Sequence, residues 1–273
     1  MITIKINKNM ILNDNKNDKI LEMNISNNKS EKYTSAKRFF EKLFIFLFII
    51  SLTHNICLTY SYIKLIHSVT LNLCLIIISF FGIVLADFVG GIVHWLADTY
   101  GNINWPILGI FIISFREHHV KPSKITKYDW IGTNGDNCMV VFIISWIPYL
   151  SFLILENYLN YNLSNIFKSF IYCLWTFYSI FLSVTNQIHK ASHQIKPHLF
   201  WKFLQDHKVI LSKQEHKIHH NYPFDTNYTI TTGWLNRPLN KINFWKKMEF
   251  LIYVMTGVEP RVDDIKWNKL YKE

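Results

Sequence analysis

Apolar residues in this chain come in long unbroken runs, unlike the alternation of a strand or the one-sided stripe of a soluble helix. Four runs, Leu43 to Tyr60, Ser68 to Val89, Cys138 to Leu155 and Ile166 to Val184, approach the ~20 apolar residues with which a helix crosses bilayer hydrocarbon. A shorter piece, Trp105 to Phe115, contains Pro106 and Gly109 and is too brief to cross; it either re-enters the bilayer or lies in its interface. The stretch ahead of the first run is rich in Asn and Lys without a sustained period. It reads as a disordered cytosolic tail, residues 1–38, ahead of one membrane-embedded domain, residues 39–273. The first apolar run begins only near Leu43, too far along for a secretory signal. The predicted fold class is all-α: a four-helix transmembrane bundle with a cytosolic, histidine-rich helical cap. A soluble helical bundle is the alternative, and four such runs weigh against it.

Charge orients these spans. Lys29, Lys32, Lys37, Arg38 and Lys42 precede the first run, Arg116, Lys121, Lys124 and Lys127 follow the second, and Lys190 to Lys217 follow the fourth. The remaining two loops hold few basic residues, Lys64 in one and Glu156 with Lys168 in the other. Because Lys and Arg are retained on the cytoplasmic side, both termini and the loop from Asp98 to Asn137 are expected there. The balance of +10 is interrupted by apolar runs, so it indicates loops beside anionic lipid and no nucleic-acid partner. Cys57, Cys74, Cys138 and Cys173 form no C-x-x-C pair and read as small buried hydrophobes.

The chemistry lies in the histidines. Of twelve, eight fall in four groups: His94; His118 and His119; His189 and His193; and His216, His219 and His220. Every group lands on the cytosolic side of the predicted topology. At 3.6 residues per turn, Asp87, His94 and Asp98 share one stripe, His189 and His193 share another, and the spacing of His216, His219 and His220 predicts a third. Asp87, deep in the second run, is expected either to hydrogen-bond a neighbouring helix or to support a metal-bound imidazole. His54, His67, His198 and His207 stand outside the groups and read as structural. One structural zinc takes about four ligands, so eight histidines with Asp98 suggest two metals. The zinc-protease patterns fail, since Lys217 follows His216 and Ser212 stands where H-x-x-E-H needs histidine. Two imidazole-bound irons in an apolar site suit dioxygen activation and removal of hydrogen from an alkyl chain; ligand type alone leaves zinc and manganese open.

The segments "ADFVGGIVHWLADTYG", "FREHHVKPSKITKYDWIGTNGDNC", "TNQIHKASH", "EHKIHHNYPFDTNYTITTGWLNRPL" and "KINFWKKMEFLIYVMTGVEPRVDDIKW" closely resemble, in order and spacing, the Kua family, the plasmanylethanolamine desaturases. The resemblance runs from about Gly82 to Trp267. It implies an endoplasmic-reticulum membrane enzyme with a di-iron centre, dioxygen as co-substrate and cytochrome b5 as electron donor. The implied reaction turns the 1-O-alkyl chain of an ethanolamine ether phospholipid into the vinyl ether of a plasmalogen. A plastid relative desaturates an acyl chain near its carboxyl end. The implied metal ligands are His94, Asp98, His118, His119, His189, His193, His216, His219 and His220. Two positions depart from the family pattern: Glu215 stands where many members begin HHxxHH, and Ala191 where they read QIHKWSH. Glu215 can still bind metal or accept a hydrogen bond beside it. Asn134, Asp136 and Asn137, within "TNGDNC", either grip the phosphoethanolamine headgroup or form a turn and helix cap. Histidines at helix ends lie near headgroup depth, which favours attack on the first carbons of a chain over its middle. An acyl-lipid desaturase or hydroxylase on the same scaffold, and a zinc-binding membrane protein without catalysis, are the alternatives.

Overall fold

A computed structural model of the chain describes residues 35–106 and 108–262. All regular elements among them are helices. Four segments are long and apolar enough to cross a membrane: Ser35–Ile63, Val69–Tyr100, Trp130–Asn157 and Asn165–His193. Each contains one predicted run, except that Ser68, the first residue of the second run, lies just ahead of its helix. The first is helix α1 (Ser35–Ile63) and the second α2 (Val69–Tyr100), whose N-terminus is capped by Ser68 Oγ accepting from Leu71 N. Their outward faces carry Ile49, Ile76, Ile77, Phe80 and Phe81, all exposed. Helices that are apolar outside as well as inside belong in lipid, and the chain is a multi-pass membrane protein by this architecture. Most of the predicted tail, residues 1–38, lies outside the described residues; its last four, 35–38, form the first turn of α1.

The piece around Pro106 does not stand apart. From Gly109 it winds into α3 (Gly109–Val120), which carries His118 and His119, and a 3₁₀ helix (Pro122–Lys127) leads on to the third span. That span is two helices, α4 (Trp130–Ser145) and α5 (Ile147–Asn157), broken at Trp146 because Pro148 supplies no backbone N–H. The fourth continues the rod of α6 (Asn165–Ser183) into α7 (Thr185–His193) across a break at Val184. Here the cause is a side chain: Asn137 Nδ2 donates to Leu182 O at 2.6 Å and Ser183 O at 3.0 Å, taking carbonyls from the helical ladder. Four short helices complete the cap: α8 (Leu199–Asp206), α9 (Lys213–His219), α10 (Asn236–Lys241) and α11 (Phe244–Thr256).

Two core clusters give the bundle its ends. Ile63, Leu71, Leu75 and Cys173 meet near the end where α1 finishes and α2 begins, whereas Phe48, Ala86, Cys138, Val141 and Leu182 pack higher up. Glu41 on α1 sits against Gly135 on α4, and Asn134 Nδ2 reaches Gln187 Oε1 on α7 at 3.3 Å. The N-termini of α1 and α4 and the C-terminal ends of α2 and α7 therefore share one end, the end that carries the histidines. Close packing of α2 on α6 depends on Gly82, where a Cβ would lie 2.3 Å from Leu174 O. Gly82→Ala is expected to cost about 1–3 kcal/mol, read as a lower thermal midpoint in detergent. Gly90→Ala, whose added carbon meets nothing closer than 3.5 Å, should leave the midpoint unchanged.

Candidate metal centre

Nine side chains from four helices and one helix end gather into two adjoining sets of donor atoms. His118 on α3, His189 and His193 on α7, His216 on α9 and His220 at its C-terminal cap form the first; His94 and Asp98 on α2, His119 on α3 and His219 on α9 form the second. Within each set all ligand atoms lie within 4.8 Å of one another. Neighbouring residues serve different sets because a helix turns about 100° per residue. His118 and His119 thus diverge, as do His219 and His220. The predicted single face of His216, His219 and His220 is corrected accordingly: His216 and His220, four apart, serve one set and His219 the other. Ring centroids facing each other across the divide are 5.1 Å apart for His119 and His220 and 5.4 Å for His219 and His220.

The chemistry of these atoms asks for cations. In the first set, Nε2 of His216 is 2.7 Å from that of His193, 2.9 Å from that of His189 and 3.0 Å from that of His220. His118 Nε2 is likewise 2.9 Å from His193 and 3.0 Å from His220. Nitrogens at right angles about 2.1 Å from one ion lie about 3.0 Å apart, so the spacing suits imidazoles sharing a metal. The second set is more explicit. His94 Nδ1 faces Tyr228 O at 3.0 Å and His219 Nδ1 faces Thr226 O at 2.8 Å. A carbonyl only accepts, so both Nδ1 atoms carry a proton, and in the neutral ring, the form that binds metal, Nε2 is the atom that keeps the lone pair. Those lone pairs point at Asp98 Oδ2, 3.1 Å from His94 Nε2 and 3.4 Å from His219 Nε2. Lone pair facing carboxylate is repulsive unless a cation sits between them. Accordingly, His94 Nε2, His219 Nε2 and Asp98 Oδ1 are buried without a hydrogen-bond partner. The residues fit a metal ion in each set.

Burial also sets the charge state. Desolvation, reinforced by the crowding of neighbouring imidazoles, pushes His118, His216 and His220 well below the ordinary histidine range. His219 falls to about 4, with burial first and repulsion from His94 next, partly offset by the nearby negative charge of Asp98. Neutral imidazole is the form that binds metal. Phe115 packs on the His94 ring at 5.4 Å and Phe224 on His119 at 4.7 Å, walling the second set with apolar surface.

The two imidazole-orienting carbonyls belong to a non-helical strap, residues 226–235, buried from Asn227 to Thr232 and laid along α2. Asp87 holds it: Oδ1 accepts from Thr231 N at 3.0 Å, Thr232 N at 2.7 Å and Gly233 N at 3.1 Å, and Oδ2 from Leu235 N at 3.4 Å. Asn236 pins the strap's middle, accepting from Thr229 N and Oγ1 and donating to Thr229 O. The strap lies so close to α2 that a Cβ on Gly91 would come 2.7 Å from Thr229 Cγ2. Asp87 is therefore anchored to a loop; it touches no imidazole directly.

The remaining predicted residues lie outside both sets. Glu215 turns away, pairing with Arg237 at 2.8 Å, so the position that departs from the family's histidine supplies no donor to either set. Ala191 is fully buried in α7. "TNGDNC" is neither turn nor cap, because Asp129 caps α4 four residues before Thr133, accepting from Gly132 N. Asn134 and Asn137 tie α4 to α6 and α7, and Asp136 faces Lys37 at 3.5 Å on the surface. His198 caps α8 and His207 bonds Phe203 O, as structural histidines do. Sequence reasoning missed Thr226, Tyr228 and Asn236. The first two act through main-chain carbonyls, which leave no side-chain signature.

Together these features define a class: a helical membrane protein whose cap gathers eight imidazoles and one carboxylate into two neighbouring sets that could each hold a metal ion. The lipid desaturase domain matches residues 83–263, and the chain belongs to that family. It is 44% identical over 196 residues to plasmanylethanolamine desaturase 1 of Mus musculus, covering 70% of this chain and 69% of the relative. The plasmanylethanolamine desaturase of Myxococcus xanthus is 37% identical, over 67% of this chain and 62% of its own length. The chloroplastic fatty acid desaturase 4 of Arabidopsis thaliana is 30% identical, over 66% of this chain and 52% of its own. No solved structure gives a significant match.

Two outcomes follow from this geometry. Asp87→Ala leaves four backbone N–H groups without their acceptor, and is expected to cost about 2 kcal/mol or more and to reduce bound metal, read by thermal unfolding and elemental analysis. The histidines also make stability depend on pH. Unfolded imidazoles titrate near 6.5 and His219 in the fold near 4, so between these values the unfolded chain takes up protons that the fold refuses. The thermal midpoint of metal-stripped protein should be level above pH 7 and fall as pH drops from 6.5 toward 4.5; a level profile throughout would mean that the rings are solvated.

Proposed function

We propose that this chain is a plasmanylethanolamine desaturase, introducing the 1-alkenyl double bond into 1-O-alkyl ethanolamine phospholipids. The observation that carries the reading is the pair of adjoining donor sets at one rim of a lipid-facing bundle. The names borne by the mouse and Myxococcus relatives support the substrate. Depth supports it too. From Val69 to Asp87 α2 rises about 27 Å, close to the thickness of the hydrocarbon, and His94 lies about 10 Å further on. A chain carbon brought to that level is one of the first after the headgroup.

We assign one iron to His118, His189, His193, His216 and His220, and a second to His94, Asp98, His119 and His219. Two irons there would supply the oxidising power by which dioxygen, with two electrons from cytochrome b5 and two protons, takes two hydrogens from adjacent carbons and leaves two waters. The chain's own part is binding and orientation. Tyr228 O and Thr226 O hold His94 and His219 in the tautomer that presents Nε2. Asp98 brings the one negative charge among the nine donors. Phe115 and Phe224 keep water from the second set, and the bundle rim holds the ether carbons within reach. The basic loops at the histidine end support cytosolic termini, and the family supports the endoplasmic reticulum membrane as the location.

The name of the Arabidopsis relative supports a second reading, desaturation of a fatty acyl chain, and the same depth would place the new bond near the carboxyl end. Cells lacking their own enzyme and expressing this chain, fed a 1-O-alkyl lipid, should accumulate an acid-labile product two hydrogens lighter by mass spectrometry. A product heavier by one oxygen would indicate a hydroxylase, and two zincs without product a structural metal protein. His193→Ala and His219→Ala, one from each set, should lower vinyl-ether formation about 100-fold or more while the protein still inserts. His207→Ala should leave it unchanged.

A further inference from the structure

Helix α8 presents apolar surface on two sides. Inward, Trp201 and Leu204 pack on Ile188, Ile210 and Ile230, and Gln205 donates to Leu211 O at 3.1 Å. A helix at a protein–water surface would be polar opposite that face. Instead Leu199, Phe200 and Phe203 stand there, 79%, 56% and 58% exposed, while Lys202 and Asp206 pair at 2.5 Å along one edge. The exposed face continues into the lipid-facing side of α2 through Trp234. Its indole Nε1 donates to Lys208 O, two residues past α8, at 2.7 Å, and its ring stacks on Phe80 at 5.4 Å. Phe80 shares the outer face of α2 with exposed Ile76 and Ile77. The backbone of Trp234 lies in the stretch held by Asp87, at the end of the ~27 Å of α2 that spans the hydrocarbon. Its ring therefore hangs just inside the boundary, and the C-terminal end of α8 is tied to that level.

We propose that α8 is an in-plane membrane helix, with Leu199, Phe200 and Phe203 seated in the acyl boundary of the leaflet nearest the donor sets. Continuity with the lipid-facing surface of α2 is the first argument for bilayer as the occupant. Charge is the second: between residues 196 and 208 stand Lys196, Lys202 and Lys208 against Asp206 alone, suited to headgroup phosphates beside a buried apolar face. Only residues 194–198 separate His193 from Leu199, so a seated α8 fixes the height of the α7 end and of the first donor set above the lipid chains. This holds whichever chain the enzyme desaturates.

The test places single cysteines at 200, 202, 203 and 206 in the full-length protein with Cys57, Cys74, Cys138 and Cys173 replaced by serine. Each carries a nitroxide, and power-saturation spectroscopy in phosphatidylcholine vesicles compares collision with lipid-soluble oxygen and with a water-soluble nickel chelate. The oxygen-to-chelate ratio should be several-fold higher for Phe200→Cys and Phe203→Cys than for Lys202→Cys and Asp206→Cys. Equal ratios at all four, or low access to both reagents at 200 and 203 as under a protein partner or second copy, would overturn the proposal. In the native-cysteine background, benzoylphenylalanine at position 203 should photo-crosslink to phospholipid in the same vesicles; adducts to protein alone, or none, count against it.

Discussion

The carboxylate of Asp87 is the constraint on which the cap depends. Fully buried, it is satisfied by backbone N–H groups of one short segment, Thr231 to Leu235, and thereby holds an irregular strap against the flank of α2. A strap without helical or sheet bonding has no ladder to fix its path, so its anchors decide where its carbonyls point. Two of those carbonyls, Thr226 O and Tyr228 O, meet imidazoles. An acidic residue at the edge of the hydrocarbon thus sets the tautomer of two candidate ligands without touching either. Gly91 lets the strap approach, and Asn236 closes its middle on itself.

The same economy recurs in the helices. α3 and α9 lie between the donor sets and each serves both, using the angular offset between residues such as His118 and His119. α7 serves one set alone, and its path follows from Asn137 drawing off the carbonyls where α6 would otherwise run straight. Crowding nine donors into so small a volume is unfavourable for the empty protein. Burial favours the neutral form of His118, His216, His219 and His220, and ring nitrogens still crowd one another and a carboxylate. Cations held there would relieve both conflicts, which would couple metal binding to the fold of the cap.

A second coupling runs between the cap and the lipid. The bundle's apolar exterior sets its depth, the length of α2 carries His94 beyond the hydrocarbon boundary, and Trp234 joins the strap to α8 at that boundary. Depth selects which carbon of a lipid can be presented, and the ligand frame fixes how it is held. Glu215, Asn134 and Asn137 contribute to this frame as struts through Arg237, Gln187 and the α6–α7 break.

Much of this was legible along the chain because lipid imposes a simple code. Runs near 20 apolar residues can be little else than spans, and imidazoles at three- and four-residue spacing mark faces regardless of what those faces meet. The spans follow from run length, the shared end from where Lys and Arg fall, and the histidine groups from helical spacing, while the resemblance to the family implied the set of nine donors. Their division into two sets does not follow from any of these, since it depends on where the axes of α3 and α9 fall relative to α2 and α7. Nor does the meaning of Asp87, Glu215 or the two asparagines: each is defined by a partner 22 to 148 residues distant or by a main-chain atom. Periodicity reports which side chains can act together; only packing brings particular atoms within 3 Å, and only there does repulsion between lone pairs call for a metal.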